Sequence, residues 1–220
     1  RADPDHSWHA DRSGIAALAG FSASLAGSLG KLGEDLILLS QSGLAEVSLG
    51  GGGSSSTMPQ KQNPVAASAL VALARMVIGQ AAILQGAGLH RQQRDGAAWF
   101  TEWLTLPQCC AGLGRMLGLA QDCLNALRPE PEAMQAQMET SQGSLMAEAL
   151  TFALARQMPR PQAEAQVKAL LAKAAAQRQS LATLACAETP SLDWAAIKAA
   201  SLGQAPAEAR RFAQRLAQKG

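Results

Sequence analysis

The feature that most constrains this chain is a long stretch without proline in which apolar residues recur every three or four positions. No proline stands between Pro4 and Pro59. The recurring apolar positions are Ile15, Leu18, Phe21, Leu25, Leu29, Leu32, Leu36 and Leu39. This spacing predicts one helix from about Asp11 to about Val47, ~50 Å long at ~1.5 Å per residue. A helix of this length needs a large bundle to cover its apolar stripe.

Two further patterns predict that neighbouring helices pack closely around it. Small residues flank the stripe, so that helices can approach on more than one side. They are Gly20, Ser24, Ala26, Gly27, Ser28 and Gly30. A second helix is predicted from Pro64 to about Gly86, and it is apolar nearly all round, with Arg75 as its one charge. Such a helix belongs inside a bundle.

The composition agrees with an all-α protein and excludes several classes of function. Alanine and leucine dominate the 220 residues, and tyrosine is absent. The net charge of +2 comes from interspersed acids and bases, so no basic stripe indicates nucleic-acid binding. We find no apolar run near the ~20 residues of a membrane helix and no signal peptide, and expect a cytoplasmic protein.

The four cysteines and the first residues of the chain each lead to a further expectation. No Cys/His spacing suggests a metal site, so we expect buried, reduced thiols and no metal. The chain starts at Arg1 with polar residues and no initiator methionine, which we interpret as the start of a fragment.

The stretch from Gly50 to Pro64, GGGGSSSTMPQKQNP, is the most informative about function. Its glycines and serines predict a mobile loop. Lys61 supplies a cation, and we expect Asn63 to cap the following helix, with Pro64 at its first position. Helix N-termini attract carboxylates and phosphates. A plain flexible linker would not need this fixed order of residues, and a phosphate-binding P-loop is excluded because no Gly-Lys-Ser/Thr follows the glycines.

A second informative stretch, LHRQQRDGAAWFTEWLTLP, runs from Leu89 to Pro107. A third helix is predicted from about Trp99 or Pro107 to Leu127. Trp99 and Trp103, four apart, fit either core packing or contact with a substrate. Arg94 fits either a substrate contact or a solvated surface position.

The loop resembles the signature of the fumarase/aspartase superfamily, Gly-Ser-Ser-x-Met-Pro-x-Lys-x-Asn-Pro. Aligned on Met58, Lys61 and Asn63, the second residue of the pattern falls on Ser55. Ser54 stands where the family has glycine, so Ser54 and Ser56 remain alternatives to Ser55. The resemblance implies that Ser55 is the acid/base residue and that Met58 belongs to the substrate-binding segment.

Two other motifs narrow the resemblance. Arg-x-x-x-Ala-Trp-x-x-Glu-Trp, from Arg94 to Trp103, is similar to the branch of 3-carboxy-cis,cis-muconate cycloisomerases. So is Trp-His-x-x-Arg, from Trp8 to Arg12. The resemblance implies a polycarboxylate substrate, no cofactor, and a homotetramer with active sites shared between subunits. Other lyases of the superfamily, of the adenylosuccinate or argininosuccinate type, and a non-catalytic helical assembly module remain alternatives.

The residue types agree with chemistry next to a carboxylate, which needs a proton-transfer group and stabilisation of a charged oxygen. Lys61 and Asn63 suit the second task as a cation and a neutral donor. Ser55 suits the first if its pKa is lowered. Arg94 would hold a substrate carboxylate, and His9 is a further candidate for substrate contact.

After the expected domain boundary, the helical patterns become shorter. We expect residues 1–128 to form part of the central long-helix bundle, with the signature loop at 50–64, and residues 129–220 to form a small C-terminal helical domain. Helices are expected near 132–139, 144–157, 161–187, 193–201 and 206–218. Ser144 and Asp193 are the expected N-caps.

Overall fold

The computed structural model of the chain describes residues 7–50, 53–54, 62–141 and 143–218. Within these residues the fold is helical, as predicted, with a few two-residue strands. The elements are α1 Ser13–Leu39, β1 Val47–Ser48, β2 Gly53–Ser54, β3 Gln62–Asn63, α2 Val65–Gly86, α3 Gly96–Ala126, β4 Arg128–Pro129, α4 Pro131–Thr140, a 3₁₀ turn Ser144–Met146, α5 Ala147–Leu154, α6 Arg160–Gln177, α7 Leu181–Glu188, α8 Trp194–Ser201 and α9 Ala205–Ala217. Strand β1 pairs antiparallel with β4, and β2 with β3.

The chain divides into two compact units, residues 1–133 and 134–220. Each unit has its own apolar core. The first core includes Leu70, Val77, Leu84 and Met116, which are fully or almost fully buried. The second is built on α5 to α8 around residues such as Leu150 and Leu170. From the sequence the boundary was expected after residue 128.

In the first unit α2 runs antiparallel to α1 and to α3, and two glycines set the spacing of α1 and α2. A Cβ added at Gly30 would lie 2.7 Å from Cβ of Ala74. One added at Gly33 would lie 2.8 Å from Cγ2 of Val71 and 2.9 Å from the backbone oxygen of Ala67. The two helix backbones therefore approach as closely as they do only because these positions lack a side chain.

This packing corrects the expectation that the leucine stripe of α1 would form the main buried face. The buried positions of α1 are Ala19, Ser22, Ala26, Gly30, Gly33 and Leu36. Except for Leu36, the large residues of the stripe are half-buried or exposed, with Phe21 60% exposed. The small residues take the buried positions of α1 because they let α2 approach α1 closely along most of its length.

Two of the predicted boundaries of the long helices were wrong. Helix α1 ends at Leu39 rather than Val47, because Val47 leaves the helix to pair with Pro129. Helix α3 begins at Gly96, earlier than predicted, because the carboxylate of Asp95 accepts hydrogen bonds from the first backbone amides. Pro107 lies inside α3, on its exposed side. Helix α2 begins and ends within one residue of its predicted bounds.

The second unit departs from prediction at two turns. The single helix expected over 161–187 is divided into α6 and α7, because Arg178 adopts a left-handed conformation with φ of 52° and Ser180 caps the next helix. Ser144 was wrongly expected to be an N-cap, since the position before the 3₁₀ turn is Gly143 with φ of 82°. Asp193 caps α8 as predicted, accepting from the amide of Ala196.

Two helices, α1 and α2, are long and apolar enough to cross a membrane by length and composition alone. This differs from the expectation that no segment reaches that threshold, because a single charge such as Arg75 does not lower the average hydropathy of a 22-residue helix below it. Core helices of helical proteins pass the same test, and here the two helices pack against each other.

Candidate active site

The candidate site residues of the first unit lie at its two opposite ends. At one end, which we call the loop end, Asn63 and the strand pairs lie beside the start of α2. At the other, which we call the arginine end, residues 8–12 before α1 contact residues 90–103 at the start of α3. The two sets of motifs singled out in the sequence therefore belong to separate places in the chain.

Most of the predicted catalytic loop lies outside the described residues. This holds for Ser55, Ser56, Met58 and Lys61. Ser54 belongs to β2, whose register pairs Gly53 with Asn63. Strands β2 and β3 are thus joined in an antiparallel pair beside the start of α2.

Asn63 does not cap α2, as the sequence had suggested. It lies in β3, and Pro64 occupies the N-cap position without a side-chain hydrogen bond. The side chain of Asn63 is exposed and helps to line a cavity of about 390 Å³, together with Ser48 and Gly50. Since Glu130 and Glu132 also line this cavity, its described walls do not by themselves favour a polycarboxylate.

At the arginine end the structure brings together two predicted residues, His9 and Arg94, which are 85 positions apart. Nη2 of Arg94 lies 3.4 Å from Nε2 of His9, and Oγ of Ser7 lies 3.2 Å from Nδ1 of the same ring. A guanidinium has only donors, so Nε2 accepts and the proton of the neutral ring is on Nδ1. Trp8 stacks on this imidazole at 4.7 Å between ring centroids.

Asp95 fixes the turn that carries Arg94. Its buried carboxylate accepts from the backbone amides of Arg91, Ala97 and Ala98, and from Nε of Arg91. These hydrogen bonds from the backbone amide and guanidinium of Arg91 hold the pKa of Asp95 well below its usual range, against the opposing effect of burial. The Asp-Gly pair before an apolar helix was a sequence signal for this cap that the helix prediction missed.

A buried ion pair joins the two halves of the arginine end. Arg12 donates to Glu102 from Nε at 2.9 Å and from Nη2 at 2.5 and 2.7 Å. Glu102 is only 5% exposed. Arg12 belongs to the motif from Trp8 to Arg12, and Glu102 to the motif from Arg94 to Trp103. Nothing in the sequence pairs the two residues, since they are 90 positions apart.

Three arginines lie at this end, and two of them are paired with a carboxylate. Arg12 is paired with Glu102, and Arg91 with Asp95. Arg94 is exposed and has no carboxylate partner within the described ranges 7–50, 53–54, 62–141 and 143–218. Its remaining donors are therefore open to an anion from outside.

Aromatic side chains also cluster at the arginine end. Trp99 and Trp103 stack at 6.2 Å, and the ring of His90 meets Trp99 edge-on at 6.4 Å. Trp103 is 58% exposed, so it does not serve as core of this unit. Both ring nitrogens of His90 are shielded from solvent and make no hydrogen bond with any described residue.

Within one chain the two ends do not meet. Asn63 precedes α2 and Arg94 follows it, and a straight helix of the 22 residues of α2 spans about 33 Å. No single small substrate touches both side chains in one copy.

Known proteins resemble this chain over most of its length. A sequence profile described as lyase matches residues 2–79. A 3-carboxy-cis,cis-muconate cycloisomerase of Bradyrhizobium diazoefficiens is 34% identical over 189 residues, which are 84% of this chain and 42% of the relative. The structure of the 3-carboxy-cis,cis-muconate lactonizing enzyme from Pseudomonas putida superposes with a TM-score of 0.82 at 30% identity over 94% of this chain and 48% of that one.

This chain belongs to the fumarase/aspartase superfamily. A nitrosuccinate lyase of Streptomyces davaonensis is also 34% identical, over 170 residues, 76% of this chain and 35% of the relative. Like the others, it is matched over less than half its length. This member of the superfamily thus spans about 40% of the length of the curated relatives it matches.

Proposed function

We propose that the complete gene product carrying this chain is a cycloisomerase that converts 3-carboxy-cis,cis-muconate to 4-carboxymuconolactone, a step in the breakdown of protocatechuate. The main support is the similarity over 84–94% of the chain to proteins with that name. The arginine end adds a second line of support, because a guanidinium without a carboxylate partner among the described residues suits a polycarboxylate.

The reaction rearranges atoms without oxidation or reduction. One substrate carboxylate attacks an internal double bond, so that a C–O bond forms and the π electrons move toward the neighbouring carbon. That carbon then takes a proton. In our proposal Ser55 supplies this proton, with Ser54 and Ser56 as the alternatives, while Lys61 stabilises the negative charge that develops on a substrate carboxylate.

The remaining residues bind the other carboxylates. Arg94 offers two parallel N–H donors, the geometry that recognises a carboxylate most specifically. Asn63 adds a neutral donor at the loop end, and Met58 an apolar contact. His9 lies against Arg94 and contributes to the same subsite. The proposal requires no cofactor.

Because Asn63 and Arg94 lie at opposite ends of a long helix, we propose that each active site combines residues from several copies in a homotetramer. The exposed apolar residues of α1 to α3 agree with further burial in such an assembly. They include Phe21, Ile83, Phe100, Trp103 and Leu104. We place this assembly in the cytoplasm, without a nucleic-acid or membrane partner.

The test measures loss of ultraviolet absorbance when the complete gene product is mixed with 3-carboxy-cis,cis-muconate. We expect turnover by wild type, and its loss in Ser55→Ala and Lys61→Ala. Arg75→Gln, which removes an exposed arginine paired with Glu34 far from both ends, is the matched control and should keep activity. Activity that survives in Ser55→Ala would transfer the acid/base role to Ser54 or Ser56.

A second candidate is an elimination from a substituted succinate, favoured by the similarity to a nitrosuccinate lyase. It uses the same groups in the reverse sense, with the serine removing a proton from the carbon next to a carboxylate. A panel of nitrosuccinate, adenylosuccinate and argininosuccinate separates this candidate from the first. Failure of all four substrates would favour a non-catalytic helical assembly module.

A further inference from the structure

Burying the ion pair of Arg12 and Glu102 costs free energy of desolvation. Removing two charges from water costs several kcal/mol per ion, and apolar residues of similar size often serve stability as well or better. The pair nevertheless makes three hydrogen bonds in fork geometry, which fixes direction as well as distance. Its geometry specifies where the segment before α1 lies on α3.

That segment has hydrogen bonds of its own. The amide of Asp11 donates to the backbone oxygen of Trp8 at 3.1 Å, and the amide of Ser13 donates to Oδ1 of Asp11 at 3.0 Å. Arg12 therefore cannot move on α3 without moving Trp8 and His9. Through this turn, the anchor at Glu102 sets the position of the imidazole.

The imidazole in turn contacts Arg94. Its Nε2 accepts from Nη2 of Arg94, and its Nδ1–H donates to Oγ of Ser7. Because one N–H of the guanidinium is held by His9, the plane of the fork is set and its other donors are left for an anion. Arg12 is largely buried against Glu102, whereas the side chain of Arg91 is 85% exposed and donates to Asp95 only through Nε.

We propose that Glu102 is a positioning residue, which holds His9 through Arg12 so that His9 orients the free guanidinium of Arg94 toward a substrate carboxylate. The substrate in this statement rests on the proposed function, whereas the arrangement of the four side chains does not. Glu102 and Arg12 act through His9, and Arg94 makes the contact with substrate.

The first arm of the test reads the tautomer of His9 in the 220-residue chain by long-range ¹H–¹⁵N correlation spectra. The chain has three histidines, and His9→Gln identifies the signals of position 9. Wild type should carry the proton on Nδ1, set by the contact of Nε2 with Arg94. In Glu102→Gln the two nitrogen signals should move toward the averaged values of a free imidazole. A wild-type ring protonated on Nε2 would overturn the proposal at once.

Two variants separate positioning from simple stabilisation. Glu34→Gln makes the same change at the exposed partner of Arg75 and should leave the His9 signals unchanged. The double variant Arg12→Met with Glu102→Leu removes the ion pair but keeps apolar bulk, so it should fold even where Glu102→Gln does not. Under the proposal it still loses the Nδ1 tautomer. A folded double variant with wild-type His9 signals refutes the proposal.

The second arm measures steady-state kinetics of the complete gene product on 3-carboxy-cis,cis-muconate. We expect Glu102→Gln to raise KM about tenfold and to change kcat less than about threefold, since a charged hydrogen bond to substrate is weakened. An unchanged KM would contradict the orientation of Arg94. If wild type shows no turnover while the His9 signals behave as expected, the proposed function fails and the positioning role stands.

Discussion

The close approach of α1 and α2 makes Gly33→Ala a sharp test of the packing. The added methyl group would lie 2.8 Å from Cγ2 of Val71 and 2.9 Å from the backbone oxygen of Ala67. A side chain can rotate away, but a backbone oxygen moves only with its helix. Overpacking of this kind costs about 1–3 kcal/mol. Alanine gains about 1 kcal/mol over glycine in helix propensity, so Gly33→Ala should destabilise the first unit by about 0–2 kcal/mol.

Gly27→Ala is the matched control on the same helix. An added Cβ there meets nothing within 4 Å, so only the propensity gain applies and the first unit should become about 1 kcal/mol more stable. The difference between the two variants isolates the overpacking term of about 1–3 kcal/mol.

The assay must report the first unit alone, and the tryptophans allow this. Trp194 lies in the second unit, whereas Trp8, Trp99 and Trp103 lie in the first. In a Trp194→Phe background, fluorescence during urea unfolding therefore follows the first unit. A Gly33→Ala variant as stable as Gly27→Ala would refute the packing of α1 against α2 described above.

Three further predictions follow from local features. Because the pKa of Asp95 is lowered in the folded state, its carboxylate stabilises the fold at pH values above its unfolded pKa of about 4, and this effect decreases as the pH falls below that value toward the folded pKa. The gap between the urea midpoints of wild type and Asp95→Asn should therefore begin to narrow below about pH 4 and narrow further at lower pH, and a constant gap would contradict this. Arg178→Gly should stabilise the second unit by about 1 kcal/mol, since glycine tolerates the left-handed φ of 52°, and an unchanged urea midpoint followed by Trp194 fluorescence would argue against it. Burial raises the pKa of two of the cysteine thiols, so iodoacetamide should label the two exposed cysteines first. Mass spectrometry of peptides measures the order of labelling, and equal labelling of all four would be inconsistent with the fold. The buried pair is Cys109 and Cys123, and the exposed pair is Cys110 and Cys186.

The sequence was sufficient for the helices whose ends depend on local signals. Helix α2 follows Pro64 and ends at Gly86, and α8 follows the capping Asp193, all close to prediction. The sequence was insufficient where a tertiary contact ends the helix. No proline interrupts the sequence from the start of α1 to Val47, but the pairing of that residue with Pro129 is a contact across 82 positions that no local pattern reveals.

The same distinction applies to the candidate site. Arg94 was proposed from the sequence to hold a substrate carboxylate and His9 to contact the substrate, and the structure places the two side chains in contact. Glu102 was not found because a lone acid on a helix indicates a solvated surface, and only the fold buries it against Arg12. Asn63 was assigned to the wrong local role because the asparagine-proline pair reads as a cap, whereas strand pairing with Gly53 places it one residue too early.

The separation of the two ends has a consequence for the proposed assembly that can be tested by mixing variants. Since α2 holds the loop end and the arginine end about 33 Å apart, a shared site forms only where the loop end of one copy meets the arginine end of another running in the opposite direction. Co-expressing Ser55→Ala with Arg94→Ala should then restore part of the activity that each variant lacks alone, because some sites receive one intact end from each copy. Ser55→Ala mixed with Lys61→Ala, both changes in the same loop, should restore none. Equal recovery in the two mixtures, or none in either, would contradict sites built from opposite ends of different copies.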